Sequence, residues 1–143
     1  MTDIKIQDKF PHCSKPMLAN RLFRGFSKKY NCWIYGDLIH TPEKQTRILN
    51  YTDTSSDGVD SFVTINELVD KDSIGQCSGI FDKKAEDIFD GDILYFEGHG
   101  NHLVYFENGA FGYMGLYEFV SLSDSNLSIS KVVGNIYEDP GLL

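Results

Sequence analysis

The dipeptide Asn108-Gly109, set between the apolar runs 102–107 and 110–114, constrains the fold of this chain more than any other feature. Both residues tolerate the positive φ angles that a type I′ turn requires, and the twist of paired strands selects that turn. The stretch therefore predicts a β-hairpin. Short runs rich in Val, Ile and aromatic residues, separated by turn residues, recur through the rest of the chain. Strands are expected at 22–26, 32–36 (continuing through 39), 47–51, 61–65, 74–79, 93–97, 102–107, 110–114, 116–122 and 132–136. Thr41-Pro42-Glu43-Lys44 and Asp90-Gly91-Asp92 are turn signals, and 52–60 has the composition of an exposed loop.

Strand starts about eight to twelve residues apart predict an all-β or β-rich domain, a small barrel or roll. No stretch carries a sustained 3.6-residue period, so helix is limited to short turns, near 65–69 or 83–89. Residues 1–20, with Pro11 and Pro16 and no clean periodicity, read as an N-terminal arm, leaving 21–143 as the domain. The expected core is Phe26, Trp33, Tyr35, Leu38, Ile74, Ile88, Ile93, Leu94, Val104, Phe106, Val133 and Ile136. Gly25, Gly36, Gly91 and Gly109 are the glycines expected at demanding positions.

At 143 residues the chain has the size of one domain that needs neither disulfide nor metal support. Apolar runs far shorter than about 18 residues exclude a membrane-spanning helix. The polar start of the sequence lacks the apolar core of a secretory signal, so a cytoplasmic location is expected. Cys13, Cys32 and Cys77 are scattered and odd in number, unlike a disulfide framework.

Charge is uneven. Residues 1–52 hold nine basic and four acidic residues, net +5, and residues 53–143 hold four basic and seventeen acidic, net −13. Such asymmetry admits a nucleic-acid contact. The plainer account, preferred here, is that the two ends partly neutralise each other in one fold.

Candidate chemistry is sparse. Zinc wants four ligands in paired spacing, whereas His12-Cys13 and His99-x-x-His102 are the only clusters, so no metal site is expected. Cys32 and Cys77 lie among apolar neighbours and read as small core residues. Asp90 and Asp92 flank Gly91 and read as turn formers, because Asp side chains bond nearby backbone. Gly98-His99-Gly100 lacks the later glycine and the helix that cradle a phosphate. No catalytic residue, cofactor or metal ligand is therefore assigned. A basic surface is better founded. Arg21, Arg24, Lys28 and Lys29 surround the first hairpin, with Phe26, Tyr30 and Trp33 interleaved, as in grooves that bind single strands. Against it, period-2 alternation puts Trp33 and Tyr35 on one strand face, expected in the core. The acidic half could instead imitate a phosphate backbone toward a basic partner, although net charge alone also keeps a small domain dispersed.

Four segments in order resemble the YopX family of phage and prophage proteins. Phe23-Arg24-Gly25 with Trp33 and Tyr35-Gly36-Asp37-Leu38 is similar to its opening strand pair. Ile74-Gly75-Gln76, Gly79 and Asp82-Lys83 resemble its central segment, and Ile88 with Gly91-Asp92-Ile93 the next turn and strand. Val133-Gly134-Asn135-Ile136-Tyr137-Glu138-Asp139-Pro140 with Leu142 is similar to its C-terminal signature. The resemblance spans about residues 22–143 and implies an SH3-like barrel or roll. It implies no activity and no cofactor. Two departures stand out: residues 1–20 lie outside it, and Lys84-Ala85-Glu86-Asp87 replaces the Asn-Gly or Asp-Gly turn common in the family. The expectation is a non-enzymatic interaction module of phage or prophage origin that binds a protein partner or itself, without membrane contact. The alternative is a nucleic-acid binder using Arg21, Arg24, Lys28 and Lys29.

Overall fold

A computed structural model describes residues 22–53 and 62–143, with side chains of 51–53 and 62–64 left aside. The arm at 1–20 and Arg21 lie outside the described residues. The chain divides into two compact units, Met1–Ile74 and Gly75–Leu143.

In the first unit, β1 (Phe23–Ser27), β2 (Cys32–His40), β3 (Thr46–Asp53) and β4 (Phe62–Leu68) follow one another as neighbours in an antiparallel sheet. Alternation decides which face is buried. On β2, Ile34 and Gly36 are buried while Trp33 and Tyr35 are half-buried on the opposite face. The expected core placement of Trp33 and Tyr35 is therefore corrected by one position of register. The core of this unit is Ile34, Ile48, Ile65 and Val69, with Phe23, Leu38 and Ile74 packed against it. Gly36 lets two strands approach, since a Cβ there would lie 2.2 Å from the Leu49 carbonyl oxygen. After β4 the chain turns through a 3-10 segment, Lys71–Ser73, capped by the Asp70 carboxylate, which accepts from the Asp72 amide. Residues 65–68, one site expected for a helical turn, are strand instead, paired with β3 from Arg47↔Leu68 onward.

The second unit contains three antiparallel ladders. β5 (Gly75–Phe81) pairs with β6 (Asp87–Phe89). β7 (Asp92–Phe96) lies between β8 (Gly100–Leu103) and β12 (Ser130–Asn135). β10 (Ala110–Met114) lies between β9 (Tyr105–Glu107) and β11 (Phe119–Ser121). One core serves them: Ile88, Leu94, Phe96, Val104 and Leu122 are buried, and Phe111, Tyr113, Ile129 and Val132 pack against them. The hairpin at Asn108-Gly109 forms as expected, with φ of 52° and 84° and Glu107 opposite Ala110.

The single strand expected at 102–107 is broken at Val104. Its N–H donates to the Asp92 carbonyl and its C=O accepts from Gly91, so the chain leaves β7 and passes to β10. Phe106, Val133 and Ile136, expected in the core, are exposed. For Val133 the reason is a bulge between Val132 and Gly134 that removes it from the ladder. The second site expected for a helical turn, 83–89, is a tight turn followed by β6.

That turn closes on Asp82. Its Oδ1 accepts from the amides of Lys84 and Glu86 at 2.8 and 3.0 Å, and its Oδ2 from Val132 at 2.9 Å. A similar device stands at the next turn, where Asp92 Oδ2 accepts from the Phe89 amide, as the turn-forming reading of Asp92 expects. The result is an all-β protein whose described ladders do not join into a closed barrel.

Candidate functional site

Two surface features carry unused chemistry, one in each unit. In the first unit a shallow depression of about 460 Å³ opens between the β1–β2 turn, the β2–β3 turn and the end of β4. That volume lies within the range of ligand-sized pockets. Leu68 and Val69 form apolar lining, and Lys28, Lys29, Lys44 and Lys71 stand around it with Glu67 and Asp70. Four lysines against two acids leave a local surplus of positive charge. Lys28 Nζ lies 3.3 Å from Asp70 Oδ2, and Lys29 Nζ stands 5.1 Å from the centre of the Tyr30 ring. Leu68 is half exposed there, an apolar side chain without cover.

The lysines are held by well-defined turns. Lys44 has φ of 65° and donates its N–H to the Thr41 carbonyl, and the Gln45 amide is bound by the Thr41 hydroxyl. Glycine or asparagine is the usual occupant of that conformation. A lysine kept there is a local conformational cost at the rim of the depression. On the far side, Ser73 fixes Asp70 and Lys71: its hydroxyl donates to the Asp70 carbonyl at 2.6 Å and accepts from the Phe26 amide at 2.7 Å.

The basic residues singled out in the sequence therefore part company. Lys28 and Lys29 reach the depression, whereas Arg24 is buried, with its guanidinium 4.7 Å from the centre of the Trp33 ring. That cation–π contact and the edge-to-face pair of Phe26 with Trp33 use the interleaved aromatics structurally. Arg21 lies outside the described residues. Lys44 and Lys71 join the site from distant sequence positions, and only the strand pairing brings them there.

The second feature is the tip of the β10–β11 hairpin. Met114 pairs with Phe119, and the Gly115 amide donates to the Glu118 carbonyl, closing the tight turn Gly115-Leu116-Tyr117-Glu118. Leu116 is 93% exposed and Tyr117 95%. Behind the tip, Met114 is exposed and Phe119 packs on Tyr105 at 5.3 Å, so the apolar surface continues along the sheet. Residues 116–122 were expected to form one strand, which hid this tip in the sequence.

Histidine and cysteine chemistry is limited. No group of three or more His, Cys, Asp or Glu side chains gathers at metal-binding distance among the described residues. His102 Nε2 is 3.1 Å from the His99 carbonyl, and its ring packs on Phe96 and Tyr113. Cys77 is buried, as expected of a core cysteine. Cys32 is disulfide-bonded, contrary to the expectation from cysteine spacing.

Residues 22–143 match the family described as YopX protein. The chain belongs to the YopX family. The matched segment has the bounds expected from the four sequence motifs and takes in all the described residues. The motifs are now explained by structure. In the C-terminal one, Asn135 Oδ1 accepts from the Glu138 amide and Asp139 Oδ2 from the Asn135 amide. A Cβ on Gly134 would come within 2.6 Å of that Asp139 oxygen. The lysine depression and the Leu116-Tyr117 tip lie outside the four motifs. No curated protein matches the chain. No helix among the described residues is long and apolar enough to cross a membrane.

Proposed function

We propose that this YopX-family protein is a non-enzymatic interaction module of phage or prophage origin, and that its ligand is another protein. The observation that carries this reading is the Leu116-Tyr117 tip. Two large apolar side chains held almost fully in solvent on a closed turn gain nothing for the folded monomer. Covered by a partner, each would contribute about 1.5–3 kcal/mol. An aromatic at the centre of such a contact is the usual anchor of a protein interface. The ladders of the second unit, wrapped on one core, are read as an open SH3-like roll that holds this tip rigidly.

The test is a tagged pull-down from bacterial lysate, split into nuclease-treated and untreated halves. Recovery of one protein from both halves, lost with the Leu116→Ser/Tyr117→Ser double variant, is expected. Turnover of a defined substrate, abolished by one point mutation, would overturn the reading. A second reading, nucleic-acid binding through Arg21, Lys28 and Lys29 with Arg24 in support, gains from the placement of Lys44 and Lys71 beside Lys28 and Lys29. Recovery that vanishes with nuclease would favour it.

A further inference from the structure

We infer that the protein partner is a second copy of this chain, whose lysine-rimmed depression receives the Leu116-Tyr117 tip. The inference rests on the interaction-module reading and names its partner. Three complementarities carry it. The tip offers two exposed apolar side chains, and the depression offers an exposed Leu68 beside Val69. The tip is followed by Glu118, also exposed, and the depression is rimmed by an excess of lysines. Finally, a closed four-residue turn is a compact knob, and a shallow depression of about 460 Å³ is suited to a knob rather than an extended strand. Leu116 and Tyr117 are 93% and 95% exposed, so both side chains are open to a second molecule.

Tip and depression are different surfaces, so the contact is heterologous and propagates to a ring or an open chain. A tip of this size covers much less than the roughly 1,200–2,000 Å² of a stable interface, which makes the association weak and concentration-dependent.

Sedimentation velocity of the full chain from about 1 μM to about 1 mM reads it directly. The weight-average mass is expected to rise with concentration. Leu116→Ser/Tyr117→Ser should weaken association at least about tenfold, the loss expected for truncating an interface anchor. Glu118→Lys alone and Lys29→Glu/Lys71→Glu alone should each weaken it. A one-to-one mixture of those two variants should associate again, because opposite charges meet once more. All the altered side chains except Lys29 and Lys71 lie on the tip, and unchanged thermal midpoints would confirm intact folding.

A monomer at every concentration, or association indifferent to the tip variant, overturns the inference. Binding of a labelled single-stranded oligonucleotide by a monomeric chain, lost with Lys29→Glu/Lys71→Glu, overturns it in favour of nucleic acid. If the chain is monomeric but a pull-down target is still captured through Leu116 and Tyr117, the inference fails and the interaction-module reading stands.

Discussion

Ala85 has φ of 62°, in a turn closed by hydrogen bonds between Asp82 and both Ala85 and Glu86. Asn-Gly or Asp-Gly would suit this turn, since the backbone holds the positive φ that those residues tolerate. An L-residue in the left-handed region costs about 1–2 kcal/mol, and glycine returns about 0.5–1 kcal/mol of that in lost chain entropy. Ala85→Gly should therefore stabilise the protein by about 0.5–1 kcal/mol, read as a shift of the urea midpoint at constant slope. Lys44→Gly should give a similar gain and weaken association, separating the stability cost of that lysine from its use. Tyr113 supplies a different test. Burial raises its pKa above the ordinary 10.0, partly offset by a hydrogen bond with Ser125. The folded state then keeps the phenol proton to higher pH than the unfolded chain does, so this contribution is intact below the unfolded value and is lost as pH rises through the folded one. As pH rises through and above the ordinary value of 10.0, the wild type should lose more stability than Tyr113→Phe in parallel denaturant titrations.

Among the elements, the 3-10 turn Lys71–Ser73 decides whether the depression keeps its shape. Ser73 is buried, and its hydroxyl joins the turn to β1 through Asp70 and Phe26, while the Asp70 amide donates to the Phe26 carbonyl. Ser73→Ala leaves the Phe26 amide without that acceptor, at a cost of about 1–3 kcal/mol. It should also weaken self-association, since Asp70 and Lys71 line the site, and a midpoint shift with intact association would contradict that coupling. Elements governed by local chemistry were legible in the sequence. Asn108-Gly109 forms its turn because both residues accept positive φ, and Asp92 closes the neighbouring turn with its own carboxylate. Elements decided by distant partners were not. The break at Val104 depends on Asp92 and Gly91, and the exposure of Val133 depends on a bulge against β7. Alternation on β2 was legible, but its phase was not, because Trp33 and Ile34 are both plausible core residues until packing chooses. The site suffered in the same way: Lys28 and Lys29 were visible as a pair, while Lys44 and Lys71 are brought in by strand pairing.

For the molecule as a whole, the charge asymmetry changes meaning at the structural boundary. Divided between residues 52 and 53, the sequence shows a basic and an acidic part. Divided between Ile74 and Gly75, the first unit holds ten basic and ten acidic residues, and the second holds three basic and eleven acidic. The net charge of −8 thus belongs to the second unit, and the first is neutral apart from local clusters such as the lysine rim. A neutral unit within an acidic molecule gives little long-range attraction to a polyanion. With the four rim lysines in contact, binding of single-stranded DNA would have a log–log salt slope of about −3. Retention of an oligonucleotide is therefore expected to disappear between about 50 and 200 mM salt. Self-association anchored by Leu116 and Tyr117 should persist across that range, because its apolar part is not screened and salt also relieves repulsion between acidic molecules. Fluorescence anisotropy of the oligonucleotide and sedimentation of the protein in the same buffers check both. Tight DNA binding at about 200 mM would show that the lysine rim serves nucleic acid despite the charge of the whole molecule.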